Sequence, residues 1–574
     1  MKIRLIDAIG PFFQGYNRQT INWSKIPFDH LALRGPDREI QWDRIRASLR
    51  TLGLQAASWG FTAASLDDVA HLVDDEHYEP EVREAIGVFR EEFRRCIAVL
   101  RECGLEVFVT MDVMSTTPAL RNYLGNTWES ARDHLRDLLE RFLTDFPEVK
   151  AVILRIGESD GKDVKDFFHS RLLVKKPWQA RELLEALLPV FERHGRWLIF
   201  RTWTVGAYRI GDLMWHRRTL ADVFDRLTSP ALIVSMKYGE SDFFRFLPLN
   251  KSFFYLKQPK MLELQSRREY EGCGEYPSFT GWEYEAYVRE LRQARDVVGV
   301  SIWCQTGGWV PFRRLAFLEP AAFWIDLNTF VSLRVVADGW LVEEAVRAFA
   351  EDRGLNDWRA FLQLLRLSDD VIRELLYLPG FARQKLYFRR VRIPPLLHVY
   401  WHNIFISHSA KKLLSHFTDD PETALRAALV CQERLGQMRA LAAQAGAPVA
   451  DLEYMEDTFR FLALAREYYF RPESEAVRWH IRDAKRVYKL KYPKDGDRPR
   501  YRIKTDYEPL LVKPRYLGWV CAVFMRRRRG YRIVDRILTL HLLSIIYRVV
   551  ARRRPHWIPE FARDSAMGVD VVFK

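Results

Sequence analysis

The stretch ALIVSMKYGESDFF (231–244) is an apolar, β-branched run that ends in a lysine, a glycine and two carboxylates. A run of this length and composition has the character of a buried strand. Polar residues massed at its C-terminal end serve either structure or chemistry, and the rest of the chain decides between them.

The theme recurs along residues 28–330. The candidate strands are FDHLAL (28–33), LQAASW (54–59), LEVFVTMD (105–112), KAVILRIG (150–157), WLIFRTW (197–203), LIVSMKY (232–238), MLELQS (261–266) and GVSIWC (299–304). Helical runs lie between most of them. FREEFRRCIAVLRECG (89–104) repeats its apolar residues at spacings of three and four and closes on glycine, as does ARELLEALLPVFERHG (180–195). Segments 206–230 and 280–298 read the same way. Eight strands alternating with helices over about 300 residues predict a (β/α)8 barrel. A doubly wound sheet is the rival. The barrel is preferred because Glu158, Arg201, Lys237, Glu269 and Gln305 sit at or just beyond five strand ends, where barrel active sites assemble.

From about residue 323 the pattern turns helical. The sequence therefore divides into a catalytic barrel (1–325), a helical domain (326–490) and a basic C-terminal segment (491–574). Residues 491–509 read as a linker. The chain has 574 residues and a net charge of +14, unevenly placed: residues 481–574 hold 24 Lys and Arg against 9 Asp and Glu, and the remainder is balanced at 65 against 66. An argument for an anionic partner thus applies only to the tail. Residues 516–557 alternate apolar runs of ten or eleven residues with arginine clusters, each run too short to span a bilayer. That pattern suits a membrane surface or an anionic glycan, or an ordinary helical subdomain with a solvated arginine face. No nucleic-acid module accompanies the charge, and no nucleic-acid partner is expected. The N-terminus shows no secretory signal, and the six cysteines form no CxxC pair. The expected location is cytoplasmic or peripheral to a membrane.

Three carboxylates stand out: Glu158 after the fourth strand, Asp242 after the sixth and Glu269 after the seventh. Glycoside hydrolysis needs a proton donor on the leaving oxygen and a second carboxylate across the sugar, with a water between them when configuration inverts. Arg201 and Lys237 share the same rim and suit an anionic substrate group. Trp203, Trp303 and Trp309 could stack on a pyranose. Each residue also has a structural use: Glu158 and Asp242 as helix caps, Glu269 as partner to Arg267 or Arg268, the cations as neutralisers of the carboxylates, the tryptophans as packing. The chain has no HExxH, GxSxG, Walker or GxGxxG signature and no compelling metal-ligand spacing among its 14 histidines. A carboxylate-driven reaction without a cofactor fits best.

Over about 150–350 the chain resembles glycoside hydrolase family 67, the α-glucuronidases. KYGESDFF (237–244) is similar to the family's lysine–x–glycine–x–x–aspartate segment, LELQSRREYEG (262–272) to its strand, Gln and Glu-Tyr-x-Gly stretch, and WLIFRTWTV (197–205) to its arginine-bearing strand. The resemblance implies an exo-acting, inverting hydrolase that needs no metal and removes glucuronic or 4-O-methylglucuronic acid from an oligosaccharide. By it, Glu158 is the general acid, Asp242 and Glu269 share the general-base role, and Arg201 and Lys237 bind the uronate. Trp203, Trp303, Gln305 and Trp309 complete the expected substrate contacts. Arg155 and Glu158 stand three apart, one residue closer than in the family pattern. The family's N-terminal β-rich domain and the basic tail have no mutual counterpart. Two alternatives stay open: a barrel hydrolase acting on another sugar, and a non-catalytic scaffold that binds acidic glycans or a membrane.

Overall fold

A computed structural model of the chain describes residues 1–16, 26–125, 127–157, 166–170, 172–204, 208–305, 314–388, 391–393, 399–400, 402–494, 496–509, 513–526, 533, 537 and 540–553. Eight parallel strands close into a barrel: β1 (Ile3–Asp7), β2 (Ala63–Asp67), β3 (Glu106–Asp112), β4 (Val149–Gly157), β5 (Trp197–Thr204), β6 (Leu232–Lys237), β7 (Lys260–Gln265) and β8 (Val297–Trp303). β8 pairs with β1 (Ile6 opposite Ile302), which completes the ring.

The last six strands fall where the sequence places them. The first two do not. FDHLAL contributes only a short 3-10 turn, Phe28–His30, and LQAASW lies at the end of the long helix Pro36–Ser58. The first two barrel strands are instead IRLID and AASLD. The small residues of AASLD are all buried, and neighbouring strands rather than their own propensity hold them extended.

The intervening helices follow their sequence signals. Helix Pro80–Glu102 starts on proline and buries Phe89, Phe93, Cys96, Ile97 and Leu100, and Gly104 follows it at positive φ. Helix Pro177–His194 ends on Gly195 in the left-handed conformation, the usual glycine C-cap. Such helices cover the outside of the barrel, and the interior-facing residues of the strands fill it.

Beyond the barrel, helices run from Phe323 to Lys491, interrupted by short strands at Lys385–Phe388, Val391–Ile393, Val399–Tyr400 and Asn403–Ser407. The stretch read as a linker, 491–509, is partly ordered: Arg502–Asp506 pairs in parallel with Asn403–Ser407. The helical region is tied to the barrel side by buried polar contacts. Tyr377 Oη donates to Glu271 at 2.8 Å, and Ser368 Oγ donates to the Pro277 carbonyl at 2.9 Å. All six cysteines are buried free thiols.

Candidate active site at the barrel mouth

Parallel register fixes which side chains share the barrel interior. Arg155 on β4 stands beside Arg201 on β5, Arg201 beside Ser235 on β6, Lys237 beside Glu263 on β7, and Gln265 beside Trp303 on β8. Arg201 reaches past β6 to Glu263: its Nε and Nη2 donate to the two carboxylate oxygens at 2.9 and 2.6 Å. Two strands separated by a third meet this way only across the interior, so this layer points inward.

The stretch 231–244 builds one side of the mouth. Lys237 Nζ lies 2.5 Å from Asp242 Oδ1, and the Phe243 backbone N–H donates to the same oxygen at 2.9 Å. Tyr270 Oη donates to Asp242 Oδ2 at 2.7 Å. The Lys237 ammonium also rests 3.4 Å from the Trp203 ring centre and 4.4 Å from that of Phe243, as cation–π pairing favours. Gly239 packs closely on Leu247, whose Cδ1 would stand 2.7 Å from an added Cβ. Glu240, in the same loop, is buried as well.

The loop after β7 presents Glu269. Arg268 and Cys273 adopt positive φ, as do Gly272 and Gly274. At Gly272 a Cβ would fall 2.3 Å from Tyr276 Cζ, so no other residue fits. The loop is held by a buried Glu271, which pairs with Arg268 and Arg245 and accepts from Ser278 and from Tyr377 of the helical region at 2.8 Å. Burial pushes the Glu271 carboxyl up, but Arg268 and Arg245 outweigh it and hold the carboxyl down at about 2. This loop sets Glu269 so that its backbone N–H donates to Gln265 Oε1 at 2.9 Å and its buried side chain neighbours Asp242. Burial first, and the Asp242 charge second, push the Glu269 carboxyl up to about 7.

Arg201 has a different setting. Its guanidinium holds Glu263, whose Oε1 also accepts from Ser235 Oγ at 2.7 Å. Burial works against the Glu263 charge, but Arg201, Lys237 and Ser235 together keep that carboxyl below its usual range. The Arg201 guanidinium also lies 4.8 Å from the Trp303 ring centre. Glu263 escaped the sequence reading because it sits inside an apolar strand. A lone carboxylate in LEL at inward register was the available signal.

β1 to β4 add a second charged group. Asp7 accepts the backbone N–H of Cys304 and Gln305 at 2.6 and 2.9 Å, clamping the end of β8 to the end of β1. Asp112 pairs with Arg155 Nε at 2.7 Å and accepts from Ser170 Oγ at 2.6 Å. Asp67 is buried, and burial leads its rise to about 7, Asp68 and Asp112 adding to it while Arg155 opposes. None of these aspartates was singled out from the sequence, although AASLD and FVTMD both end in one.

Among the described residues, Asp67 Oδ2, Trp303 Nε1 and Gln305 Nε2 are buried at strand ends without a hydrogen-bond partner. Buried polar atoms are seldom left so. Of the nine residues singled out from the sequence, Asp242, Glu269, Lys237 and Trp203 meet in one cluster, and Arg201 and Trp303 meet in a second. Gln305 is fixed beyond β8 by Asp7. Glu158 and Trp309 lie outside the described residues. Among the described residues no group of three or more His, Cys, Asp or Glu side chains is arranged to hold a metal ion.

A glycoside hydrolase is among the solved structures of similar fold. A family 138 enzyme targeting pectin rhamnogalacturonan II superposes with a TM-score of 0.52 at 10% identity, over 86% of this chain and 59% of its own. A family 84 protein gives a TM-score of 0.37 at 10% identity, over 85% of this chain and 73% of its own. The chain thus spans less than two thirds of the length of the family 138 structure. At this identity the likeness is one of fold. No family model and no curated protein matches the sequence.

Proposed function

We propose that the chain is a glycoside hydrolase of α-glucuronidase type, exo-acting and inverting, that releases a terminal uronic acid from an acidic oligosaccharide. The observation that carries this reading is the buried Asp242–Glu269 pair at the ends of β6 and β7. Two neighbouring carboxylates in a water-poor site resist holding two charges, so one binds a proton unusually well. In this mechanism Asp242, fixed by Lys237, Tyr270 and the Phe243 N–H, orients the attacking water. Glu269 takes its proton, and Glu158, the acid that the family resemblance assigns, protonates the leaving oxygen. Lys237 and Arg201 receive the uronate carboxylate. Trp203 and Trp303 wall the ring, and Trp303 Nε1 and Gln305 Nε2 supply donors to sugar hydroxyls.

One observation favours a second reading. The Arg201 fork already holds Glu263. If Arg201 and Lys237 serve only internal carboxylates, the same machinery acts on a neutral sugar. A panel of α-uronosides and neutral glycosides, with the product anomer followed by NMR, separates the two. Release of a uronic acid with inverted configuration supports the first reading. Turnover of neutral glycosides alone supports the second, and no turnover of any glycoside overturns both.

A further inference from the structure

The basic C-terminal segment carries helices whose apolar faces point to solvent. Helix Pro514–Phe524 exposes Tyr516, Trp519 and Val520, and Trp519 is 63% exposed. Helix Leu540–Arg553 exposes Leu542, Ile545, Ile546 and Val549. Those four stand at positions i, i+3, i+4 and i+7, which is one continuous stripe of an α-helix. Ile533 and Ile537 are also exposed. Scattered surface hydrophobes are ordinary, but an ordered stripe of four is not.

Charge identifies what covers the stripe. Residues 513–557 hold 12 Lys and Arg against one carboxylate, Asp535. Arg552 and Arg553 are exposed at the end of the second helix, and Lys513 and Arg515 at the start of the first. We infer that this segment is a membrane-surface anchor that lays its apolar stripe into the headgroup boundary of an anionic bilayer. Such a boundary offers apolar depth and negative charge together. Nucleic acid or an acidic polysaccharide offers the charge but no apolar volume for Leu542, Ile545, Ile546 and Val549. A second copy offers the apolar surface, but its own basic segment would repel this one. The 14-residue helix is about 21 Å long against a hydrocarbon core of about 30 Å, so it lies on the membrane. Among the described residues no helix is long and apolar enough to cross one. The anchor does not depend on the sugar chemistry proposed for the barrel.

The test is co-sedimentation of the full-length chain with vesicles of phosphatidylglycerol and phosphatidylcholine in equal parts, and with phosphatidylcholine alone. The wild-type chain is expected to pellet with the anionic vesicles, less so as salt rises, and to stay in solution with the neutral ones. The double variant Ile545→Glu, Ile546→Glu should lose pelleting with an unchanged circular dichroism spectrum. Arg552→Ala with Arg553→Ala should weaken it. Wild-type chain that stays in the supernatant overturns the inference, as does an isoleucine variant that pellets like wild type. A wild-type dimer in light scattering that the isoleucine variant abolishes, without vesicle binding, makes the stripe a self-interface and also overturns it.

Discussion

Asp242 accepts three hydrogen bonds, from Lys237 on β6, from Tyr270 in the loop after β7 and from its own neighbour Phe243. Asp242 and Tyr270 are 28 residues apart in the chain, and their contact joins the two loops that carry the candidate pair. The geometry turns two loops into one site.

Removing Asp242 should therefore do two separable things. Asp242→Asn is expected to lower kcat by about 10²–10⁴, the usual scale for a lost acid–base function. It should also move the acid limb of the pH profile downward, because the charge that helps to raise Glu269 is gone. A residual rate with an unmoved acid limb would remove Asp242 from the electrostatics of Glu269.

Glu269 gives a pH prediction of definite sign. As a base it must be ionised, so kcat/KM should rise as pH passes through about 7, and Glu269→Gln should abolish the reaction. Stability runs the other way. The folded chain binds this proton more tightly than the unfolded chain, with values of about 7 against 4.5. The contribution to stability is full below 4.5 and is lost as pH rises to about 7. Urea unfolding across that range should show Glu269→Gln with a flatter pH dependence than wild type.

Arg201 and Glu263 form a buried pair, and breaking one side leaves a charge uncompensated. Arg201→Met is expected to cost about 3–5 kcal/mol in urea unfolding. Adding Glu263→Met should restore much of that loss, since replacing a whole buried pair by apolar groups is often neutral. A double variant as unstable as the single would mean that Glu263 is not what Arg201 supports.

Gly272 tests the loop that presents Glu269. Gly272→Ala places a methyl against the Tyr276 ring at a φ of 91°. Overpacking of this kind costs about 1–3 kcal/mol, with a matching drop in Tm. Activity should fall further than stability at temperatures where the fold persists, because Glu269 moves with the loop.

Six of the eight barrel strands were legible in the sequence because each is an apolar run bounded by helix and turn signals. β1 and β2 were not. AASLD has too few β-branched residues to announce a strand, and LQAASW, which imitates one, continues a helix begun 18 residues earlier at Pro36. The candidate site divides in the same way. Asp242, Glu269 and Lys237 stood out as charges placed after apolar runs. Glu263, Tyr270 and Asp67 did not, since nothing local distinguishes a strand residue that faces the barrel from one that faces a helix.

The sequence by itself determined the barrel and the charge at the ends of its later strands, because both follow from periodicity and from the cost of placing polar groups in apolar runs. Tertiary structure alone decided the partners. Arg201 meets Glu263, 62 residues away, because strand closure places β5 and β7 across one interior. Asp242 meets Tyr270, 28 residues away, because the loop after β7, braced from the helical region through Glu271 and Tyr377, comes up against the loop after β6. Ion pairing depends on distance in space, and closing the barrel sets that distance.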